Sequence, residues 1–137
     1  MGLYLCIFDD SEELDGVEVG YYDDFYWFRN TITKELEREH LGSKFPVLIL
    51  HPDSDGHWTP EECVTLENEL TAIGELLKKL PPIPFNSDWQ KSIAKSIGLR
   101  PANLYDCFID VDGEPLIERL INLCKLAQKV NRPIMFQ

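Results

Sequence analysis

The segment from Thr59 to Leu80 constrains the fold more than any other part of the chain. Thr59 can accept a hydrogen bond from an unpaired backbone N–H at a helix start, and Pro60 suits the first helical position. Glu62 lies three residues after Thr59 and can complete a capping box. Apolar residues then recur at steps of three and four, at Cys63, Leu66, Leu70, Ile73, Leu77 and Leu80. This spacing predicts a long amphipathic helix that must bury one face against the rest of the protein.

The segments on either side of this helix predict its connections. Residues 45–50 are continuously apolar and predict a buried strand, and residues 51–58 predict a polar turn into the helix. Residues 81–85 hold three prolines and cannot be helical, so they are expected to cross the surface of the core. Residues 88–97 predict a short helix that ends at Gly98.

Apolar periodicity also assigns the remaining elements. They are strands 2–8, 104–111 and 134–136, a helix over 22–40 with Gly42 as its C-cap, and a helix over 114–130 capped by Asp112. The order is therefore β-α-β-α-α-β-α-β, and the length of 137 residues suits a single domain. We expect an α/β (mixed α+β) fold, in which a mostly parallel or mixed sheet of about four strands is covered by three to four helices.

The charge is strongly and unevenly acidic. The formal net charge is −11, yet residues 1–75 hold 18 acidic and 4 basic residues while residues 76–137 hold 6 acidic and 9 basic ones. Eight carboxylates precede the first base, Arg29, and most of them lie in a predicted acidic loop over residues 9–16. Such a surface repels nucleic acid and anionic membranes and attracts a basic partner, although acidity can also serve solubility alone.

The loop between residues 51 and 62 resembles part of a calcium-binding loop. Four residues fall at its positions 3, 5, 6 and 12, namely Asp53, Asp55, Gly56 and Glu62. The first position should be an aspartate but is His51, which argues against a hard cation. His51 and His57 could instead hold zinc with an aspartate. The alternative without metal is a turn in which the aspartates bond to local N–H groups.

Residues 108–114 resemble the strand-end motif of haloacid-dehalogenase-type phosphatases. In that family the first aspartate, here Asp110, is the nucleophile, and the second, here Asp112, is a general acid. Glu114 stands where threonine is expected, and only 23 residues follow it. The alternative is a turn in which Asp112 caps the last helix.

No other pattern gives a positive sign of an enzyme. A nucleophilic triad could be drawn from Cys107, His51 and Asp110, but nothing in the sequence brings them together. The chain has no nucleophile elbow, Walker loop or dinucleotide-binding fingerprint. We therefore expect no catalytic residues and no cofactor.

The compartment follows from the N-terminus and the cysteines. The N-terminus has no basic region before an apolar run, so we expect no signal peptide, and the apolar runs are too short to span a bilayer. The four cysteines lie on apolar positions far apart in sequence, which favours reduced thiols in a cytoplasm.

Several segments together resemble a family of small immunity proteins from bacterial polymorphic toxin systems. The segments are residues 2–8, 14–20, 58–63, 110–116 and 133–137. The resemblance implies a cytoplasmic antidote without catalytic activity that binds a cognate toxin domain, a role in contact-dependent competition. It leaves the toxin, the contact surface and the oligomeric state open.

The candidate contact residues come from charge and aromatic character. Carboxylates would meet a basic toxin surface. The aromatic rings near the acidic loop, at Tyr22, Tyr26 and Trp27, either pack in the core or serve as interface anchors. The toxin-binding candidates are Asp9, Asp10, Glu12, Glu13, Asp15, Glu18, Asp23, Asp24, Trp27 and Trp58.

Overall fold

A computed structural model describes residues 2–52 and 55–137. The strands of this part are β1 (Gly2–Asp9), β2 (Glu12–Tyr21), β3 (His57–Trp58) and β4 (Ile134–Phe136). The α-helices are α1 (Tyr22–Glu35), α2 (Pro46–Ile49), α3 (Pro60–Leu77), α4 (Asp88–Ile97) and α5 (Leu116–Val130). The four-stranded sheet with helices confirms the mixed α+β fold.

The sheet is built on a hairpin at the N-terminus. Its order is β2-β1-β4-β3, and its pairs are antiparallel, so the expectation of a mostly parallel or mixed sheet is wrong. Only Asp10 and Ser11 separate β1 from β2, and so short a connection can join only antiparallel strands. Asp10 takes a positive φ of 56°, which aspartate tolerates better than most residues.

The hairpin corrects the predicted acidic loop over residues 9–16. Val17 and Val19 are buried and Glu18 between them is exposed. This alternation is typical of a strand with one face in the core and the other exposed to solvent. The carboxylates therefore sit at the turn and on a strand at the edge of the sheet, where charge discourages pairing with another chain. In the sequence, the many carboxylates of this segment obscured the alternation of Val17 and Val19, which would have indicated a strand.

The long central helix confirms its prediction. The backbone N–H of Glu62 donates to Thr59 Oγ1 over 3.1 Å, and the N–H of Thr59 donates to Glu62 Oε1 over 2.9 Å, which completes the capping box. Helix α3 packs mainly against α5, and both bury their apolar stripes in one core with β1. The predicted helix 88–97, its end at Gly98 and the strand 134–136 are also confirmed.

The predicted strand over residues 45–50 is wrong, because this segment forms the four-residue helix α2. The carboxylate of Glu69 accepts hydrogen bonds from the N–H groups of Val47 (3.1 Å) and Leu48 (2.9 Å) at its N-terminus. At its other end, Arg29 Nη1 donates to the carbonyl oxygens of Leu48 (3.1 Å) and His51 (2.7 Å). Two side chains more than 18 residues away in sequence thus cap both ends of a helix that local propensity alone would not form.

The predicted strand over residues 104–111 is also wrong. Residues Tyr105–Cys107 form one 3-10 turn, and only a single bridge joins Ile109 to Pro115. Asp110 organises the turn that follows, since its Oδ1 accepts from the N–H groups of Asp112 (2.9 Å) and Glu114 (3.0 Å). Helix α5 therefore begins after Pro115 and is not capped by Asp112.

Helix α1 ends at Glu35, before the predicted residue 40. The buried carboxylate of Glu37 binds the backbone that follows the helix. Glu37 is 1% exposed and accepts hydrogen bonds from the N–H groups of Gly42, Lys44 and Phe45 and from the Thr33 hydroxyl. Burial alone would raise the pKa of Glu37, but these hydrogen bonds outweigh burial and hold the pKa below its usual value.

Replacing Glu37 with alanine should therefore destabilise the fold. The change leaves backbone donors buried without an acceptor, and we expect a loss of about 3 kcal/mol in the free energy of unfolding at pH 7. Urea unfolding measures it, with Glu35→Ala at the exposed last residue of α1 as control. Equal stability of the two variants would contradict this role.

The pH dependence of the same variant has a defined sign. The pKa of Glu37 is lower in the folded than in the unfolded protein, so its contribution is present above the unfolded pKa, about 4.3. It is lost as the pH falls through the lower folded value. The stability gap between wild type and Glu37→Ala should shrink below about pH 4 in urea unfolding. A gap that widens on acidification would contradict the assignment.

Candidate functional site

The acidic residues of the hairpin turn lie on the surface. Asp9, Asp10, Glu12 and Glu13 are exposed. Arg132 Nη2 lies 2.9 Å from Asp9 Oδ1 and 3.8 Å from Asp10 Oδ1, but these ion pairs are open to water and contribute little stability. The turn therefore presents a concentrated negative charge to solvent.

The acidic surface continues from the turn along β2. Asp15 is half-buried and accepts from the N–H of Gly16, whereas Glu18 is exposed. The hydroxyl of Tyr4 donates to Glu13 Oε2 over 2.9 Å. Burial and this carboxylate together raise the pKa of Tyr4 to about 12. We call Asp9, Asp10, Glu12, Glu13, Asp15 and Glu18 the acidic hairpin surface.

Asp24 does not belong to this surface, because its carboxylate is buried at the start of α1. It is 3% exposed and accepts from the backbone N–H of Tyr21 (2.8 Å), Trp89 Nε1 (2.8 Å), Asn86 Nδ2 (2.9 Å) and the Ser87 hydroxyl. Burial alone would raise the pKa of Asp24, but the hydrogen bonds outweigh burial and lower it. Asp24 thus ties the end of β2 to the start of α4.

The two predicted tryptophan contacts also differ from each other. Trp58 is 1% exposed, its Nε1 donates to the carbonyl oxygen of Val47, and its ring packs edge-on against Phe136. Trp27 is half-buried, with its ring centroid 4.7 Å from that of Phe108. Trp58 and Asp24 therefore have internal partners, while Trp27, Asp23 and the acidic hairpin surface reach solvent.

A row of cavities lined by aromatic residues begins where β2, α1 and α4 meet and extends along α1 towards α2. It consists of three cavities of about 340, 340 and 250 Å³. The first two share Tyr21 in their lining, and the second and third share Tyr26 and Asn30, so the three lie next to one another. We call this feature the aromatic groove.

The aromatic groove includes three predicted contact residues and several that the sequence did not suggest. Glu18, Asp23 and Trp27 are among its lining residues. Tyr21 was not suggested by the sequence, whereas Tyr26 was placed at the edge of the buried stripe of α1 as an alternative interface anchor. No local sequence pattern indicates that Trp89 lines the groove, because α4 and β2 come together only in the folded chain.

The described part of the 51–62 loop uses its polar groups for structure. Asp53 lies outside the described residues, Asp55 is exposed, and Glu62 serves the capping box. The ring of His51 stacks on Phe136 with centroids 4.2 Å apart, and its two nitrogens lie beside the carbonyl oxygens of Pro52 and His57. Within residues 2–52 and 55–137, no group of three His, Cys, Asp or Glu residues is placed to hold a metal ion.

The residues considered for catalysis have separate structural partners. Asp110 is 1% exposed and pairs with Arg119 Nε over 3.1 Å, and the same arginine donates to the carbonyl oxygen of Gly16. Cys107 is buried, which raises the pKa of its thiol, and its Sγ lies 3.4 Å from the carbonyl oxygen of Ile83. Both ring nitrogens of His51 are partnered by the carbonyl oxygens of Pro52 and His57, so among the described residues no hydrogen bond joins His51 to Cys107 or Asp110 to form the triad.

Replacing Asp24 with asparagine should loosen the wall of the aromatic groove. The new NH₂ group cannot accept from the donors that face it, so we expect a loss of about 2–3 kcal/mol in the free energy of unfolding. Asp23→Asn is the matched control, because it removes the same charge from the exposed neighbouring position. Urea unfolding of both variants gives the comparison, and an equally small effect of the two would contradict the role of Asp24.

The comparisons with known proteins bear on the whole chain. No curated protein and no solved structure matches it significantly. In the part of the chain that the structure describes, none of the helices is long and apolar enough to cross a membrane. A family model described as Immunity protein 70 matches residues 3–136. Because this match covers nearly the whole chain, the protein belongs to the immunity protein 70 family.

Proposed function

We propose that this protein binds a cognate toxin domain of a bacterial polymorphic toxin system and neutralises it in the cytoplasm without catalysis. The observation that carries the proposal is the match to the Immunity protein 70 family over residues 3–136. An immunity protein protects the cell that makes the toxin, and its siblings, by holding the toxin in an inactive complex.

The charge of the surface supports a basic partner. The acidic hairpin surface places five exposed carboxylates and the half-buried Asp15 along one hairpin, and the whole chain has a formal net charge of −11. Opposite charge raises the rate of encounter between proteins more than it raises affinity. A nuclease with a basic active-site surface suits this charge, because carboxylates can occupy the positions of phosphates.

The internal contacts of the reactive side chains support a role in binding rather than catalysis. The carboxylate of Asp110 is engaged by Arg119 and two backbone N–H groups, and Cys107 is buried. Both residues stabilise the segment between α4 and α5. The acidic and aromatic side chains that reach solvent are those that protein interfaces commonly use.

A growth assay tests the proposal. The toxin domain encoded by the neighbouring gene is expressed in a bacterial host with and without this protein. We expect the toxin alone to stop growth, and co-expression to restore it and yield a complex that purifies intact. Continued growth arrest in the presence of folded protein would refute the proposal.

Charge reversal at the acidic hairpin surface tests the electrostatic part. We expect Glu12→Lys, Glu13→Lys and Asp15→Lys together to slow association with the toxin about tenfold at low salt and to flatten its salt dependence. Stopped-flow or surface-plasmon measurements give the rates. The matched control reverses three exposed acids on α3 and α5, namely Glu61, Glu75 and Glu118. Equal rates for the two triple variants would show that overall charge, not this surface, steers the toxin.

A further inference from the structure

We propose that the aromatic groove is the site where the toxin docks, and that it takes apolar side chains carried on a positively charged segment of the toxin. This inference rests on the proposed function and adds the place of contact and the chemistry of the partner. It separates two tasks, since the acidic hairpin surface attracts the toxin and the aromatic groove holds it.

The aromatic groove exposes apolar side chains in a concave part of the surface. Tyr21 is 54% exposed, Tyr26 is 60% exposed and Leu41 is 67% exposed, and all three line the groove. The first two cavities, of about 340 Å³ each, have the volume of small binding pockets, and the third, of about 250 Å³, is smaller. Tyrosine combines a large apolar ring with few rotatable bonds, so it loses little entropy when it is covered.

The walls of the aromatic groove are held in place before any partner binds. Trp89 is fixed by its hydrogen bond to Asp24, and Trp27 rests on Phe108. Asp24 also fixes Asn86 and Ser87, which line the middle cavity. A preformed wall avoids the cost of ordering side chains on binding, which is how a small site reaches high affinity.

Charge selects the occupant. Glu18 and Asp23 are exposed carboxylates on the lining. The lining also holds the guanidinium of Arg29, which donates to the carbonyl oxygens of Leu48 and His51 and keeps its positive charge, so the acidic and basic side chains of the lining sum to a formal charge of −1. A positively charged segment complements these carboxylates. A second copy of this chain, with its own net charge of −11, would be repelled, and so would nucleic acid.

A pair of matched substitutions tests the groove. Tyr26→Arg places a long cationic side chain in it, and Val64→Arg makes the same charge change at an exposed apolar position of α3, which does not line the groove. We expect Tyr26→Arg to weaken binding of the purified toxin domain about 100-fold and Val64→Arg to change it less than about twofold. Circular dichroism and urea unfolding establish that both variants are folded.

The outcomes of this test distinguish a failure of the groove proposal from a failure of the proposed function. If Tyr26→Arg is folded and binds the toxin like wild type, the groove proposal is wrong while the immunity proposal stands. If wild type neither binds the toxin nor restores growth, the proposed function fails and the groove proposal fails with it. A wild-type dimer that Tyr26→Arg dissociates would assign the groove to a second copy and overturn the proposal.

A second variant covers the case in which arginine at position 26 prevents folding. Tyr26→Ala only removes atoms, and we expect it to weaken binding about tenfold. The charge requirement is tested separately with Glu18→Gln and Asp23→Asn, which should reduce the salt dependence of the dissociation constant. Unchanged affinity of Tyr26→Ala, or unchanged salt dependence of the double variant, would contradict the proposed chemistry of the partner.

Discussion

The buried carboxylate of Asp24 both joins distant segments of the fold and shapes the proposed binding site. It accepts hydrogen bonds from the end of β2 and from three side chains at the start of α4, which are more than 60 residues away in sequence. A buried carboxylate with fewer donors would be unstable, so the segments cannot separate without a large cost in free energy. The same bonds fix Trp89 and the middle of the aromatic groove. The stability of this corner and the shape of the proposed binding site thus have one cause.

Other buried carboxylates act in the same way at other corners of the fold. Each accepts hydrogen bonds from backbone N–H groups. Glu37 binds three in residues 42–45, Glu69 binds two at the start of α2, and Asp110 binds two in the turn before α5. Irregular segments expose backbone N–H groups that no helix or strand satisfies, and a carboxylate can accept several at once. Part of the acidity of this chain therefore belongs to its interior. Acids that remain exposed, among them those at the hairpin turn and along β2, are the part that a partner can meet.

The sequence predicts the elements whose signals are local and misses those that distant residues create. The capping box of Thr59 and Glu62, the helix ended by Gly98 and the final strand could all be predicted, as could the fold class. The apolar segment 45–50 looks like a strand until Glu69 and Arg29 cap it as a helix, and no local pattern reveals those partners. Charge identified the exposed carboxylates as candidate contacts, but it also suggested Asp24. The side chain of Asp24 is buried because it binds residues at the start of α4. The aromatic groove was not predictable because its walls come from elements that lie far apart in the sequence, among them β2, α1, α2 and α4.

The central claim is that a preformed aromatic groove, and not acidity alone, holds the toxin. Hydroxyl-radical footprinting of the free protein and of its complex with the toxin domain tests this most directly, because it reports each side chain in the unmodified chain. The account predicts that Tyr21, Tyr26 and Leu41 lose reactivity in the complex while Leu50 and Val64, which are also exposed, keep theirs. A stable complex in which Tyr21 and Tyr26 remain as reactive as in the free protein would contradict it.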